Sequence, residues 1–211
     1  MTTLATLLAL ADSRLPTGGH VHSGGVEEAV TSGQLIDHAT LRAFLRRRIR
    51  TTGLVTASLA AAVHAGTLSI KDADRETDAR TPAPAARQAS RAQGRGLARL
   101  ARRVWPEGEW AAVGTTPHLA VAAGAVGAAS GLNPDHTALS VVYTTMTGSA
   151  TAAQRLLALD PGDVAALTFE LSALCEQTAA EAAKDLADLS DPLLDVLAQR
   201  HSQRERPLFV S

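Results

Sequence analysis

Apolar residues recur every three or four positions along most of the chain, which is the spacing of one face of an α-helix. One segment shows this spacing clearly, at Leu41, Phe44, Leu45 and Ile49. The pattern predicts a long helix over about residues 37–65, and Gly66 fits as its C-terminal cap.

Start and stop signals divide the chain into about eight to nine helices. Asp160-Pro161 and Asp191-Pro192 each combine an N-cap residue with a proline in the first helical turn. The helices are expected over residues 3–12, 23–33, 37–65, 84–105, 117–130 and 133–159, with others starting near 69, 160 and 191. Residues 107–116 are expected to form a loop.

Composition favours an all-α, single-domain helical bundle. Hydrophobic residues make up 45% of the 211, but aromatic residues only 3%, so the usual strand signals are scarce. Glycines at 124, 127 and 131 would let helices approach closely, either in the core or at a dimer interface. The single cysteine, Cys175, excludes an internal disulfide, and its apolar helical surroundings favour a packing role.

The chain also lacks clear targeting signals. No Lys or Arg precedes the apolar run at residues 3–11, so an amphipathic helix is favoured over a signal peptide. The apolar part of residues 111–134 is shorter than the roughly 20 residues that span a bilayer. These observations predict a cytoplasmic protein.

Charge is unevenly distributed, although the net charge is only −1. A ridge of arginines recurs every four residues at Arg87, Arg91, Arg95, Arg99 and Arg103. A second group is Arg42, Arg46, Arg47, Arg48 and Arg50, whereas residues 160–195 are strongly acidic. These groups could be solvated or mutually pairing faces, a docking surface for an acidic protein, or a nucleic-acid surface; the last lacks stacking aromatics.

The glycine segment, residues 17–25, is the most unusual stretch in the chain. Its His20 and His22 could ligate nickel or zinc, or could be polar side chains of a simple turn. The segment has no Lys followed by Ser or Thr, so it is not a phosphate loop. We find no nucleophile–base pair or metalloprotease motif either, and the sequence therefore predicts a protein that is not an enzyme.

Four stretches together resemble the UreF-type urease accessory proteins. They are Ser13-x-Leu15-Pro16-x-Gly18-Gly19 with Ser23-x-Gly25-Val26-Glu27; Arg87-x-x-Ser90-x-x-x-Gly94; Ala152-x-x-Arg155-Leu156; and Pro192-x-x-Asp195 through His201 to Leu208-Phe209-x-Ser211. Three departures accompany the match. His20 and His22 replace aromatic residues, Ser202 replaces an acid, and Pro207 takes the place of an arginine, so that Arg206 is displaced by one.

The resemblance implies an all-α, cytoplasmic and usually dimeric chaperone. Such a protein joins a UreD/UreH-type scaffold protein and a UreG-type GTPase, and the assembly delivers nickel to apo-urease with GTP hydrolysis. No cofactor would be bound tightly, because nickel is handled by the complex. The chain would divide into a domain over residues 1–203 and a docking tail over residues 204–211. Partner contacts are expected at residues of the motifs and of the tail, namely Arg87, Ser90, Arg91, Gly94, His201, Arg206, Leu208 and Phe209.

Two other functions remain open from the residues alone. One is a nickel carrier centred on His20 and His22, and the other is an α-helical nucleic-acid-binding regulator that uses the arginine ridge. The sequence also predicts a C-terminal tail that is loosely held in the free protein, since chain ends are poorly ordered unless tied down.

Overall fold

The fold is given by a computed structural model that describes residues 3–211. In this part of the chain every regular element is helical, which confirms the predicted all-α fold. The α-helices are α1 Thr3–Leu10, α2 Val26–Thr31, α3 His38–Arg48, α4 Leu54–Ala65, α5 Ile70–Ala79, α6 Pro84–Val104, α7 Trp110–Val113, α8 Leu119–Ala129, α9 Pro134–Leu157, α10 Pro161–Ala182 and α11 Pro192–His201. A short 3-10 turn covers Gly19–Val21.

The number of α-helical segments in residues 3–211 is higher than the predicted eight to nine, for two reasons. The expected helix over 37–65 is continuous but changes to π-helical geometry at Ile49–Gly53, which separates α3 from α4. In addition, α7 lies in the expected loop over 107–116, where Trp110 and Val113 are buried against α6 and α8.

Side-chain caps begin the helices where the sequence predicted them. Asp37 accepts from the Thr40 N–H and forms a capping box. Asp160 accepts from the Gly162 and Asp163 N–H groups, and Asp191 accepts from the first turn of α11 in the same way. These local signals mark the helix boundaries in the sequence.

The core is built around α9, which packs on α10, α4, α2 and α8. Its buried residues include Val142, Met146 and Ala153, and the Cys175 thiol lies 3.6 Å from the Met146 sulfur. Burial raises the pKa of the Cys175 thiol to about 11, so this cysteine is a neutral packing residue at physiological pH.

Small residues let α8 approach its neighbours closely. A Cβ atom at Gly124 would lie 2.5 Å from the Ala60 carbonyl oxygen, and one at Gly127 would lie 2.0 Å from the Thr137 hydroxyl. These two glycines therefore serve packing within the core. Across residues 3–211, no helix combines the length and apolar character that crossing a membrane requires.

Candidate functional site

The C-terminal tail (residues 204–211) lies beside the glycine segment (residues 17–25). The Val210 N–H donates to the Val21 carbonyl at 2.7 Å, and the Ser23 N–H donates to the Ser211 carbonyl at 2.5 Å. The His22 Nδ1 and Ser211 Oγ atoms are 2.6 Å apart. Because the backbones of the tail and the glycine segment hydrogen-bond to each other, the prediction of a loosely held tail is wrong for the tail backbone.

Glu27 is the anchor of the tail. Its buried carboxylate accepts from the Leu208 N–H at 2.8 Å, the Phe209 N–H at 3.0 Å and the His201 Nε2 at 2.8 Å. Burial alone would raise the pKa of Glu27, but the two backbone donors and His201 together lower it. The carboxylate is thus held ionised between α11 and the tail.

Sequence reasoning missed this role of Glu27. Glu27 and Glu28 are both acids in the first turn of α2, where the helix dipole alone is enough to favour them. Nothing local distinguishes Glu27 from Glu28, since the donors to Glu27 lie 174 or more positions along the chain. The only sequence signal is the resemblance itself, which places a glutamate at this position and a histidine near the end.

The side chains of the last four residues of the tail alternate between the protein and solvent. Phe209 is half-buried against the main core, whereas Leu208 and Val210 are 79% and 68% exposed. Arg206 is exposed, and Arg204 forms an ion pair with Glu28 at 3.1 Å. The arrangement presents two apolar side chains outward on a backbone that the protein itself holds in place.

The predicted central motif lies inside the fold, between α5, α6 and α8. Arg91 donates to Asp74 at 2.9 Å and to Asp78 at 2.9 Å. The Ser90 hydroxyl accepts from the Leu119 N–H at 3.2 Å and is 3.0 Å from His118 Nδ1. These contacts therefore hold α6 against α5 and α8.

The other two motif residues also make internal contacts. Arg87 donates to the carbonyls of Thr81 and Pro82 at 2.7 and 2.9 Å. A Cβ atom at Gly94 would lie 2.2 Å from the Pro117 carbonyl oxygen, so only glycine fits there without a shift. A partner contact at these residues, and at the buried His201, stays a prediction.

His118 lies at the centre of this network and is fully buried, with its Nε2 2.9 Å from Asp78. Burial lowers the pKa of His118 despite the favourable hydrogen bond to Asp78, so the ring is neutral at pH 7. In the described residues Asp74, Asp78 and His118 are the one group of three side chains with metal-ligand spacing. Arg91 already donates to both carboxylates, so the group is a salt-bridge network.

The two histidines of the glycine segment differ in environment. His20 is exposed, whereas His22 is half-buried and contacts Ser211. Burial, followed by the charge of His20, lowers the pKa of His22. Within residues 3–211 no third ligand groups with them, and a nickel or zinc site here stays a prediction.

Several charges of the second arginine group pair with the acidic segment over 160–195. Arg47 donates to both oxygens of Asp191, at 2.6 and 2.7 Å, and Arg42 donates to Glu170 at 2.8 Å. The interpretation of mutually pairing faces is thus confirmed for Arg42 and Arg47. By contrast, Arg95, Arg99 and Arg103 of α6 are exposed.

Comparison with known proteins agrees with the residue pattern. Residues 35–172 match the model of the UreF family. The chain is 79% identical to the urease accessory protein UreF of Mycolicibacterium vanbaalenii and 78% identical to that of Mycobacterium sp. strain JLS. It is 71% identical to the urease accessory protein UreF of Mycobacterium tuberculosis. Each match covers the whole of both chains.

These matches cover the glycine segment, the α5–α6–α8 network and the tail together, so the resemblance extends to every part of the site. Proteins of this kind are accessory factors and not enzymes. The chain belongs to the UreF family of urease accessory proteins.

Proposed function

We propose that the chain is a chaperone that joins a UreD/UreH-type scaffold protein and a UreG-type GTPase in the cytoplasm. The resulting complex inserts nickel into apo-urease with GTP hydrolysis, and nickel is carried by the complex and not held as a resident cofactor. The observation that carries this proposal is the tail, where Leu208 and Val210 point outward from a backbone fixed by Glu27. Exposed apolar side chains on an ordered backbone favour protein docking.

The experiment is co-purification. The chain, tagged at its N-terminus, is expressed with the two candidate accessory proteins. We expect the scaffold protein to be captured directly. The GTPase should be captured when the scaffold protein is present, and any capture of the GTPase without the scaffold should be lost as salt rises. Capture of neither protein would overturn the proposal.

The exposed arginines of α6 support a second contact in the same complex. Arg95, Arg99 and Arg103 face solvent, whereas Arg91 is occupied by Asp74 and Asp78. We expect Arg95→Glu with Arg99→Glu to weaken the capture of an acidic partner while helicity is unchanged. The interaction should also weaken as salt rises, since charge-led docking is screened.

The proposal includes a homodimer. Phe169 is 80% exposed on α10, with the exposed Ala166 and Ala173 beside it on the same helix face. A face of small residues around one large apolar side chain can pack closely on a second copy. Light scattering should give twice the chain mass for the native protein, and Phe169→Ser should shift it toward the monomer.

A further inference from the structure

A cavity of about 370 Å³ lies between the glycine segment, the π-helical segment, α6 and α9. Its wall is rich in hydroxyl side chains, among them Thr52, Thr145 and Ser149. Hydroxyl groups can donate as well as accept, so this wall offers several donors to a bound polar group.

Arg48, the last residue of α3, lies in the wall of this cavity. Within residues 3–211 its guanidinium makes a single hydrogen bond, from Nη1 to the Gly24 carbonyl at 2.7 Å. Its Nε atom is buried and has no acceptor. Among residues 3–211, no carboxylate oxygen lies within 4.0 Å of this guanidinium, in contrast to the neighbouring Arg47.

The nearest carboxylate is already fully engaged. Asp191 accepts from Arg47 through both oxygens, from the Thr51 hydroxyl at 3.1 Å, and from the N–H groups of Leu193 and Leu194. Burial lowers the pKa of Arg48 to about 10, against an opposing effect from Asp191. Arg48 therefore stays charged at pH 7 without a protein counter-ion.

A largely buried cation without a partner is costly, because desolvation of an ion costs several kcal/mol even after the surroundings relax. The local backbone is nevertheless shaped to admit it. A Cβ atom at Gly24 would lie 2.4 Å from the Arg48 Nη2, so glycine leaves the space that the guanidinium fills. The helix that carries Arg48 then continues as the π-helical segment Ile49–Gly53, and such segments are frequent at functional sites.

We propose that this cavity binds a small oxyanion of the phosphate or sulfate type, with Arg48 as its main charge partner. The guanidinium supplies a planar set of N–H donors that suits such oxygens, and the threonine hydroxyls of the wall supply further donors. Phe209 and Ser211 of the tail also line this cavity, whereas the outward side chains Leu208 and Val210 do not.

The test uses the full-length protein and inorganic phosphate. Melting temperature is measured against phosphate concentration, with chloride of equal ionic strength as the reference. We expect a saturable rise for the native protein, as a ligand that binds only the folded state must give. Arg48→Gln should weaken the apparent affinity at least about tenfold, the equivalent of one charge-assisted hydrogen bond. The matched control Arg46→Gln, an exposed neighbour, should leave it nearly unchanged.

Two further measurements keep the proposal falsifiable if Arg48→Gln folds poorly. Phosphorus NMR of the native protein should show line broadening that sulfate reverses by competition. Crystals soaked in selenate should show anomalous density beside Arg48. No saturable effect of phosphate on the native protein, an equal effect in a folded Arg48→Gln variant, or selenate bound only elsewhere would each overturn the proposal.

Discussion

At the scale of single residues, three carboxylates have matched partners: Glu27 and Asp191 are buried, and Asp78 is half-exposed. Glu27 has two backbone donors and His201, Asp191 has Arg47 and Thr51, and Asp78 has His118 and Arg91. A buried polar group that loses its partner costs more free energy than the lost hydrogen bond contributed. Removing one partner from any of these groups should therefore lower the stability of the protein.

Glu27→Gln tests the anchor of the tail. The amide has one accepting oxygen in place of two, so at least one donor among Leu208 N–H, Phe209 N–H and His201 loses its partner. We expect a loss of about 1–3 kcal/mol in unfolding free energy and faster hydrogen exchange at the amides of 208 and 209. Glu28→Gln is the neighbouring control, since within residues 3–211 its carboxylate accepts from the Arg204 side chain and not from the amides of 208 and 209. Unchanged exchange in Glu27→Gln would contradict the anchoring role.

The same groups predict how stability depends on pH. The pKa of His118 is lowered from 6.5, so the unfolded chain takes up this proton first and stability falls as pH drops below about 6.5. The pKa values of Glu27 and Asp191 are also lowered, so their contribution is complete above about pH 4.5 and is lost as pH falls through the folded values.

Denaturant unfolding between pH 8 and pH 4 measures this dependence. We expect the unfolding free energy to decrease in both windows, first with His118 and then with the carboxylates. In His118→Gln the decrease between pH 7 and pH 5 should be smaller than in the native chain. A free energy that stays constant down to pH 4 would be at odds with the described network.

At the scale of elements, sequence signals that act locally were read correctly. The Asp-Pro starts of α10 and α11 and the Gly66 cap of α4 lie where the pattern placed them. The short helix α7 and the π-helical segment were not predicted, because α7 depends on Trp110 packing against other helices and the π geometry has no local sequence pattern.

The close contact between α6 and the start of α8 gives a test at this scale. In Gly94→Ala the new methyl group would meet the Pro117 backbone at 2.2 Å, so the two elements must separate. We expect a destabilisation of about 1–3 kcal/mol, the usual cost of overpacking. Gly148→Ala in α9 is the matched control, since no atom lies within 4 Å and the better helix former should stabilise by about 0.5–1 kcal/mol. Equal melting temperatures for the two variants would refute this packing argument.

At the scale of the whole molecule, the glycine segment and the tail meet although they are far apart in the sequence. The glycine segment, α2 and the tail are brought together by contacts that span more than 170 positions. A search for local motifs cannot find such contacts, which explains why the sequence did not predict the bonds between Glu27 and the tail. The arginine ridge shows the opposite case. Its regular spacing was evident, yet the fold occupies Arg91 internally and leaves Arg95 and Arg99 exposed.

The central claim, that the outward face of the anchored tail docks the scaffold protein, is tested most directly by one affinity measurement. Leu208→Ser with Val210→Ser removes the two exposed apolar side chains and keeps the backbone bonds to Glu27 and Val21. Val104→Ser, at a 52% exposed position on α6, is the control. The account predicts an unchanged melting temperature for both variants. The affinity for the scaffold protein should fall at least about tenfold in the tail variant alone, because two apolar side chains that the complex would bury are lost. Native affinity in the tail variant would contradict it.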